Sequence, residues 1–338
     1  YNTLVDCQQP TLLILDNATD LSLVEDCLLH RPKLVQVIIT SRDKRSFGDY
    51  CQVQLNAFTL EEGKVYIQQK LQAHKPNEQD IQTLIEEIGL VPQKLSLATG
   101  YIREVRFMNI GRYIQKLQEL KKQHKKQQGK LILPEVSLGL DTLDTASQLM
   151  MHYGAYLDPD FMPLPLLTAL LGVSEEEELD DILSKLERLS LITVIDDSSQ
   201  AGIQIHREVQ AACKVYQDWS EVSKLTEQDL LKYLLQVLDQ CMPEVTDMPD
   251  NKWSQARIYA SNVAHILVHA IQILGPQSLL ANLANRMGHY SSTVQCNYQQ
   301  ALKYHQQAFE MQQALYMGNH PNIAGSLYEL GYIYTVLD

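Results

Sequence analysis

Cysteine, tryptophan and phenylalanine are scarce in this chain: 6, 2 and 5 residues among 338. The cysteines, at positions 7, 27, 51, 213, 241 and 296, are scattered and contain no CxxC pair, so their spacing indicates neither a zinc site nor a disulfide framework. Such usage fits a reducing, intracellular setting. No apolar run approaches the ~18 residues of a membrane span. The opening YNTLVDCQQP carries neither the basic nor the apolar segment of a signal peptide. A soluble, cytoplasmic protein with no membrane partner is therefore expected. Positive charge is short as well: 28 Lys and Arg face 41 Asp and Glu, and the net charge of −13 repels nucleic acid phosphate and anionic lipid. No GxSxG elbow occurs, and no stretch has the phosphate-cradling spacing GxxxxGK[ST].

Apolar material is plentiful, at 45% of residues, and the length suggests two or three domains. Leu12-Leu13-Ile14-Leu15 is a short continuous apolar run, the pattern of a strand covered on both faces in a parallel sheet. A second run spans Leu34 to Thr40. Between them LSLVEDCLLH, Leu21 to His30, has apolar residues at helical spacing and stops near Arg31-Pro32. The order is β-α-β, a parallel unit. Ligands of open α/β sheets collect at the carboxyl ends of strands, where Asp16, Ser41 and Arg42 fall. A carboxylate there can hold hydrated magnesium, and an arginine can reach phosphate oxygens. The competing reading of Asp16 is ordinary Asp-Asn turn chemistry, the carboxylate bonding its own backbone.

LILDNATD followed by VIITSRD resembles the Walker B strand and first sensor motif of NB-ARC proteins, the STAND class of signalling ATPases. Segments resembling the rest of that family follow in order. LNAFTLEEGKVYIQQKL (Leu55 to Leu71) looks like the opening helix of its helical domain, and EEIGLVPQKLSLATGYIRE (Glu86 to Glu104) resembles its GLPLA signature. YLDPDFMPLPLL, LERLSLITV and IQIHREVQ look like the winged-helix domain of members that carry tetratricopeptide repeats. LANRMGHY, ALKYHQQAFEMQQAL and GNHPNIAGSLYELGYIY resemble tetratricopeptide repeats of the kinesin-light-chain type. The offset of 330 − 283 = 47 between Leu283 and Leu330 exceeds that type's usual repeat, so an insertion is expected around Ser291 to Tyr298. Small residues such as Ala301, Ala308, Ala324 and Gly331 suit close helix pairs, and a repeat cannot bury its apolar face alone.

The resemblance implies a mainly α, multidomain chain. Its parts would be the C-terminal half of a P-loop α/β nucleotide-binding domain (1–56), a helical domain (57–133), a winged helix (134–216), a helical bridge (217–277) and the start of a superhelical repeat array (278–338). In the family the phosphate loop lies upstream of Walker B. The chain also has no initiator Met and opens a few residues before a strand pattern, so an internal fragment is expected. Carried over, the resemblance implies that Asp16 orders Mg2+ and water, Ser41 and Arg42 sense the terminal phosphate of ATP, Pro92 packs on adenine and His206 touches the ADP phosphate. Asn17 stands where active hydrolases have a second acid, so turnover should be slow or absent. The implied function is an ADP/ATP-regulated signalling switch that assembles into homo-oligomers and binds a protein or peptide through its repeats. The rival is a non-enzymatic scaffold or adaptor with a degenerate nucleotide domain.

Residue-level alternatives stand beside those roles. Pro92 can simply interrupt a helix after Gly89, which caps a helix running from about Asn77. His206 can be a neutral core histidine. Thr59 to Glu62 and Ser174 to Glu177 read as capping boxes, the first opening a helix with apolar Leu60, Val65, Ile67 and Leu71. The acidic run Glu175 to Asp181 reads as a solvated helix start. The basic stretch Lys116 to Lys130 has no aromatic residue to stack a base and reads as an exposed helix end. A winged helix can bind DNA, but in Ile205 to Gln217 Glu208 opposes Arg207 and Lys214, a poor groove reader. His265 and His269 share a helix face, yet Ile266 occupies the position of the HExxH glutamate, so packing is expected there.

Overall fold

The computed structural model describes residues 9–16, 18, 24–25, 28, 34–41, 51–127, 133–197, 200–216, 219–243 and 251–337. The chain divides into two compact units, Tyr1–Ala57 and Phe58–Asp338. It is mainly helical, and no helix among the described residues is long and apolar enough to cross a membrane.

In the first unit the two apolar runs form β1 (Thr11–Leu15) and β2 (Val35–Ile39), paired in parallel with Thr11 opposite Val35 and Leu15 opposite Ile39. Val24, Glu25 and Leu28 between them are helical. The expectation of a strand covered on both faces does not hold. Side chains alternate across a strand, and the face bearing Leu12, Ile14 and Ile38 is 52%, 59% and 50% exposed. Leu13, Leu15 and Val37 on the other face are half-buried. A continuous apolar run supplies apolar atoms to both faces, but only neighbouring elements can cover them.

The second unit opens with α1 (Leu60–Lys70), α2 (Glu78–Ile88), α3 (Pro92–Glu104) and α4 (Ile110–Gln127). Thr59 caps α1 through a complete box: the Glu62 carboxylate accepts from Thr59 N at 2.8 Å, and Thr59 Oγ1 accepts from Glu62 N. Thr59→Ala is expected to cost about 1 kcal/mol of stability, read as a lowered urea midpoint. The buried face of α1 is narrower than the set of its apolar residues. Gly63, Ile67 and Leu71, spaced by four, are buried, whereas Leu60 and Val65 are exposed. Gly63 is the reason: a Cβ there would stand 2.4 Å from Leu90 Cδ2, so α1 sits directly on the turn before α3. Asn77 caps α2, which stops at Gly89 with φ 81° and ψ −170°, a conformation open to glycine. Pro92 then starts α3 as its first residue. In the basic stretch, Lys121 Nζ pairs with Glu87 at 2.7 Å.

Next come α5 (Pro134–Leu140), α6 (Thr145–Gly154), β3 (Met162–Pro163), α7 (Leu164–Leu171), α8 (Glu176–Arg188), β4 (Thr193–Asp197), β5 (Gln200–Gln204) and α9 (Arg207–Lys214). The strands form an antiparallel sheet ordered β3-β5-β4. The second expected capping box is absent. The helix begins one residue later than that box requires, Glu175 takes the cap position, and no side chain bonds the orphan amides. Exposed Glu176, Glu177 and Glu178 in the first turn complement the helix dipole instead.

Further on lie α10 (Trp219–Val222), α11 (Glu227–Cys241), α12 (Asn251–Leu274), α13 (Ser278–Thr293), α14 (Tyr298–Leu315) and α15 (Pro321–Leu337). One apolar core runs without a break from Ile67 on α1 to Met311 on α14. Hydrogen bonds fix the last three helices as an alternating stack. Tyr316 OH donates to Ser278 Oγ and His305 meets Asn285, so α14 runs back along α13. Gln306 Nε2 donates to Tyr334 OH and Ser326 Oγ to Gln312 Oε1, so α15 runs back along α14. The segment Ser291 to Tyr298, expected as an insertion, holds the last residues of α13, a short turn, Asn297 as the cap of α14 and the first residue of that helix. Ser291 and Ser292 are buried, small enough for close packing.

Candidate functional site

Pairing of β1 and β2 in register brings the residues just beyond both strands together at their carboxyl ends. Thr40 N donates to Leu15 O at 2.9 Å and Ala18 N to Thr40 O at 2.8 Å, continuing the ladder past the strands. Thr40 Oγ1 donates to Asp16 Oδ1, and Ser41 Oγ donates to Ala18 O at 2.6 Å. Among the described residues, Asp16 accepts from Thr40, just beyond the neighbouring strand. Asp16 and Ser41 are both exposed, and with Thr40 they gather a carboxylate and two hydroxyls at one edge. Oxygen donors of this kind suit a hard cation that keeps much of its water. Arg42 and Asn17 lie outside the described residues.

Pro92 and His206 belong to the second unit. Pro92 is exposed at the start of α3. His206 is exposed too, so it is not a core histidine. It occupies the cap position of α9, where Nδ1 accepts from Glu208 N at 3.2 Å. The α9 residues weighed for DNA contact have internal partners. Arg207 Nη2 pairs with Asp160 Oδ2 at 2.6 Å, and Lys214 Nζ lies 3.1 Å from His269 Nε2 and 5.2 Å from the Tyr156 ring centroid. That ammonium also bears on the His265 and His269 pair. Burial, and then Lys214, lowers the pKa of His269, and a cation beside its Nε2 opposes a second one. The Tyr156 ring packs edge-on against His269, centroids 6.1 Å apart, so the pair serves packing as expected.

Two sets of residues escaped the sequence reading. Thr40 could have been found by writing the strands in register, since it follows Ile39 as Asp16 follows Leu15. His289, His305 and Glu329 bring two imidazoles and a carboxylate together, their ligand atoms all within 4.8 Å of one another. They come from three helices, and no spacing in the sequence joins them. No family model matches the chain, and no curated protein matches it.

Proposed function

We propose that this chain is part of an ADP/ATP-regulated signalling switch of the NB-ARC type, in which nucleotide exchange governs the association of copies of the protein. The observation that carries the reading is the parallel β1–β2 pair with Asp16, Thr40 and Ser41 gathered beyond its carboxyl ends, where α/β sheets hold phosphate ligands. One oxygen of Asp16 is taken by Thr40, so hydrated Mg2+ would be held through the other. Ser41 and Arg42 would contact the terminal phosphate, Pro92 the adenine and His206 the ADP phosphate through Nε2, because Nδ1 caps its helix. The amide of Asn17 cannot take up a proton, so hydrolysis is slow or absent. Exchange of ADP for ATP drives the switch through differential contacts to the two nucleotides.

The finer architecture belongs to the same reading. The β3-β5-β4 sheet with α6 to α9 is a winged helix, and α13 to α15 begin a tetratricopeptide array that binds a protein or peptide. Support for the latter is the alternating stack of helices, small at Ala301 and Ala308 where α14 is buried. The setting is the cytoplasm.

The test is the translated sequence directly before Tyr1, searched for a glycine-rich turn ending in Lys-Ser or Lys-Thr, followed by purification of that longer polypeptide. Bound ADP is expected, with Asp16→Ala weakening Mg·ATP binding about tenfold or more, the loss of one metal-linked contact. A polypeptide with the lysine intact and no affinity for either nucleotide supports the second reading, a protein-binding scaffold, which Asn17 favours.

A further inference from the structure

His305 on α14 is wholly buried, yet its Nε2 has no hydrogen-bond partner. Its other nitrogen is held. Ser326 Oγ donates to Gln312 Oε1 at 2.7 Å, so its oxygen can accept Asn285 Nδ2 at 3.1 Å. Asn285 Oδ1 then faces His305 Nδ1 at 3.1 Å as an acceptor. The direction of this chain puts the proton on Nδ1 and leaves a lone pair on the buried, unpartnered Nε2. An orphaned acceptor in a core costs free energy unless something occupies it.

Potential ligands lie close by: one nitrogen each of His305 and His289 and an oxygen of Glu329 are within 4.8 Å of one another. His289 on α13 meets the His305 ring with centroids 5.1 Å apart and planes at 78°. His289 Nδ1 is 3.7 Å from Glu329 Oε2 on α15. Both side chains are partly exposed, at 21% and 23%, so each can turn by the small amount needed. The residue before His289 is Gly288, where a Cβ would stand 2.5 Å from His305 Nε2. Ligand atoms around a tetrahedral ion with bonds of about 2.1 Å lie about 3.4 Å apart. The observed separations need only modest closing, and water can take the fourth position.

We propose that His289, His305 and Glu329 form a binding site for one divalent first-row transition cation, which ties α13, α14 and α15 together. Two imidazoles and one carboxylate suit zinc and its neighbours rather than magnesium, which prefers oxygen alone. The bond from Asn285 to His305 is the outer contact that orients metal-bound histidines. The assignment is independent of the nucleotide reading.

The test is calorimetric titration of the metal-free chain with Zn2+, and absorption spectroscopy with Co2+ as the coloured substitute. One ion per chain is expected, with the visible bands of tetrahedral cobalt. His289→Ala and Glu329→Gln should each weaken binding by about tenfold or more, as losing a contact at a metal site does. Both residues are partly exposed, so the variants should keep the wild-type helical circular dichroism, whereas His305→Ala could fail to fold. His265→Ala is the control that leaves binding unchanged. Absence of stoichiometric binding overturns the site. So does binding that survives either variant, as capture by the exposed thiols of Cys51 and Cys296 would.

Discussion

Acidification from pH 7 to pH 4 should destabilise the second unit, and His152→Phe should abolish about 3 kcal/mol of that loss. His152 on α6 is 5% exposed and lies flat against Trp219 on α10, ring centroids 4.4 Å apart and planes at 6°, with Tyr153 and Tyr156 beside it. Its Nδ1 is buried without a partner. Burial alone pushes its pKa down to about 4, against about 6.5 in an unfolded chain. Between those values the unfolded chain binds a proton that the folded chain refuses. Stability therefore rises with pH across the window and falls as the solution is acidified, the loss beginning near 6.5 and complete below 4. A gap of about 2.5 units corresponds to about 3 kcal/mol.

Phenylalanine preserves the stack and removes both the titration and the unpaired nitrogen, so at pH 7 the variant should match or exceed the wild type. Urea midpoints measured for both proteins at several pH values give the answer by difference, because other histidines contribute equally to the two curves. Parallel curves would show that the imidazole is solvated in the folded protein, contrary to its packing under Trp219.

Local chemistry made some elements legible and left others hidden. Thr59 with Glu62, Asn77, Gly89 and Pro92 each act within four residues of themselves, and each marks the helix boundary its chemistry predicts. Ser174 has the same local pattern, yet Glu175 takes the cap position of α8, whose Leu179, Ile182, Leu183 and Leu186 are buried in the core. The run from Leu12 to Leu15 announced a strand but not its cover, which depends on other elements. Lys214 is met by His269 of α12, a partner that no local pattern in the sequence announces. At the candidate sites the contrast is sharper. Asp16 and Ser41 were visible because strand ends are visible, whereas Thr40 required the register. His289, His305 and Glu329 are separated by 16 and 24 residues, and only the crossing of three helices joins them.

Substitution of Asn262 by leucine should cost about 3 kcal/mol, although the two side chains are nearly equal in size. Asn262 on α12 is wholly buried, and each end of its amide serves the segment that enters β3. Oδ1 accepts from Asp158 N at 3.1 Å, and Nδ2 donates to Phe161 O at 2.9 Å. The same segment is tied at Pro159, whose carbonyl accepts from Ile205 N at 2.9 Å. Leucine would fill the space and strand one backbone donor and one acceptor, each costing about 1–3 kcal/mol when it loses its partner away from water. Val268→Ala, at a 60% exposed position on the same helix, should stay within about 0.5 kcal/mol of the wild type. Hydrogen exchange localises the effect: the Asp158 amide should exchange faster in Asn262→Leu while the amides inside α12 keep their protection. An unchanged urea midpoint would mean that the loop repairs its bonds with water, and that packing alone holds α12 to the small sheet. The larger expected loss follows from the asymmetry of hydrogen bonding, in which making a bond contributes little and stranding its partners costs much more.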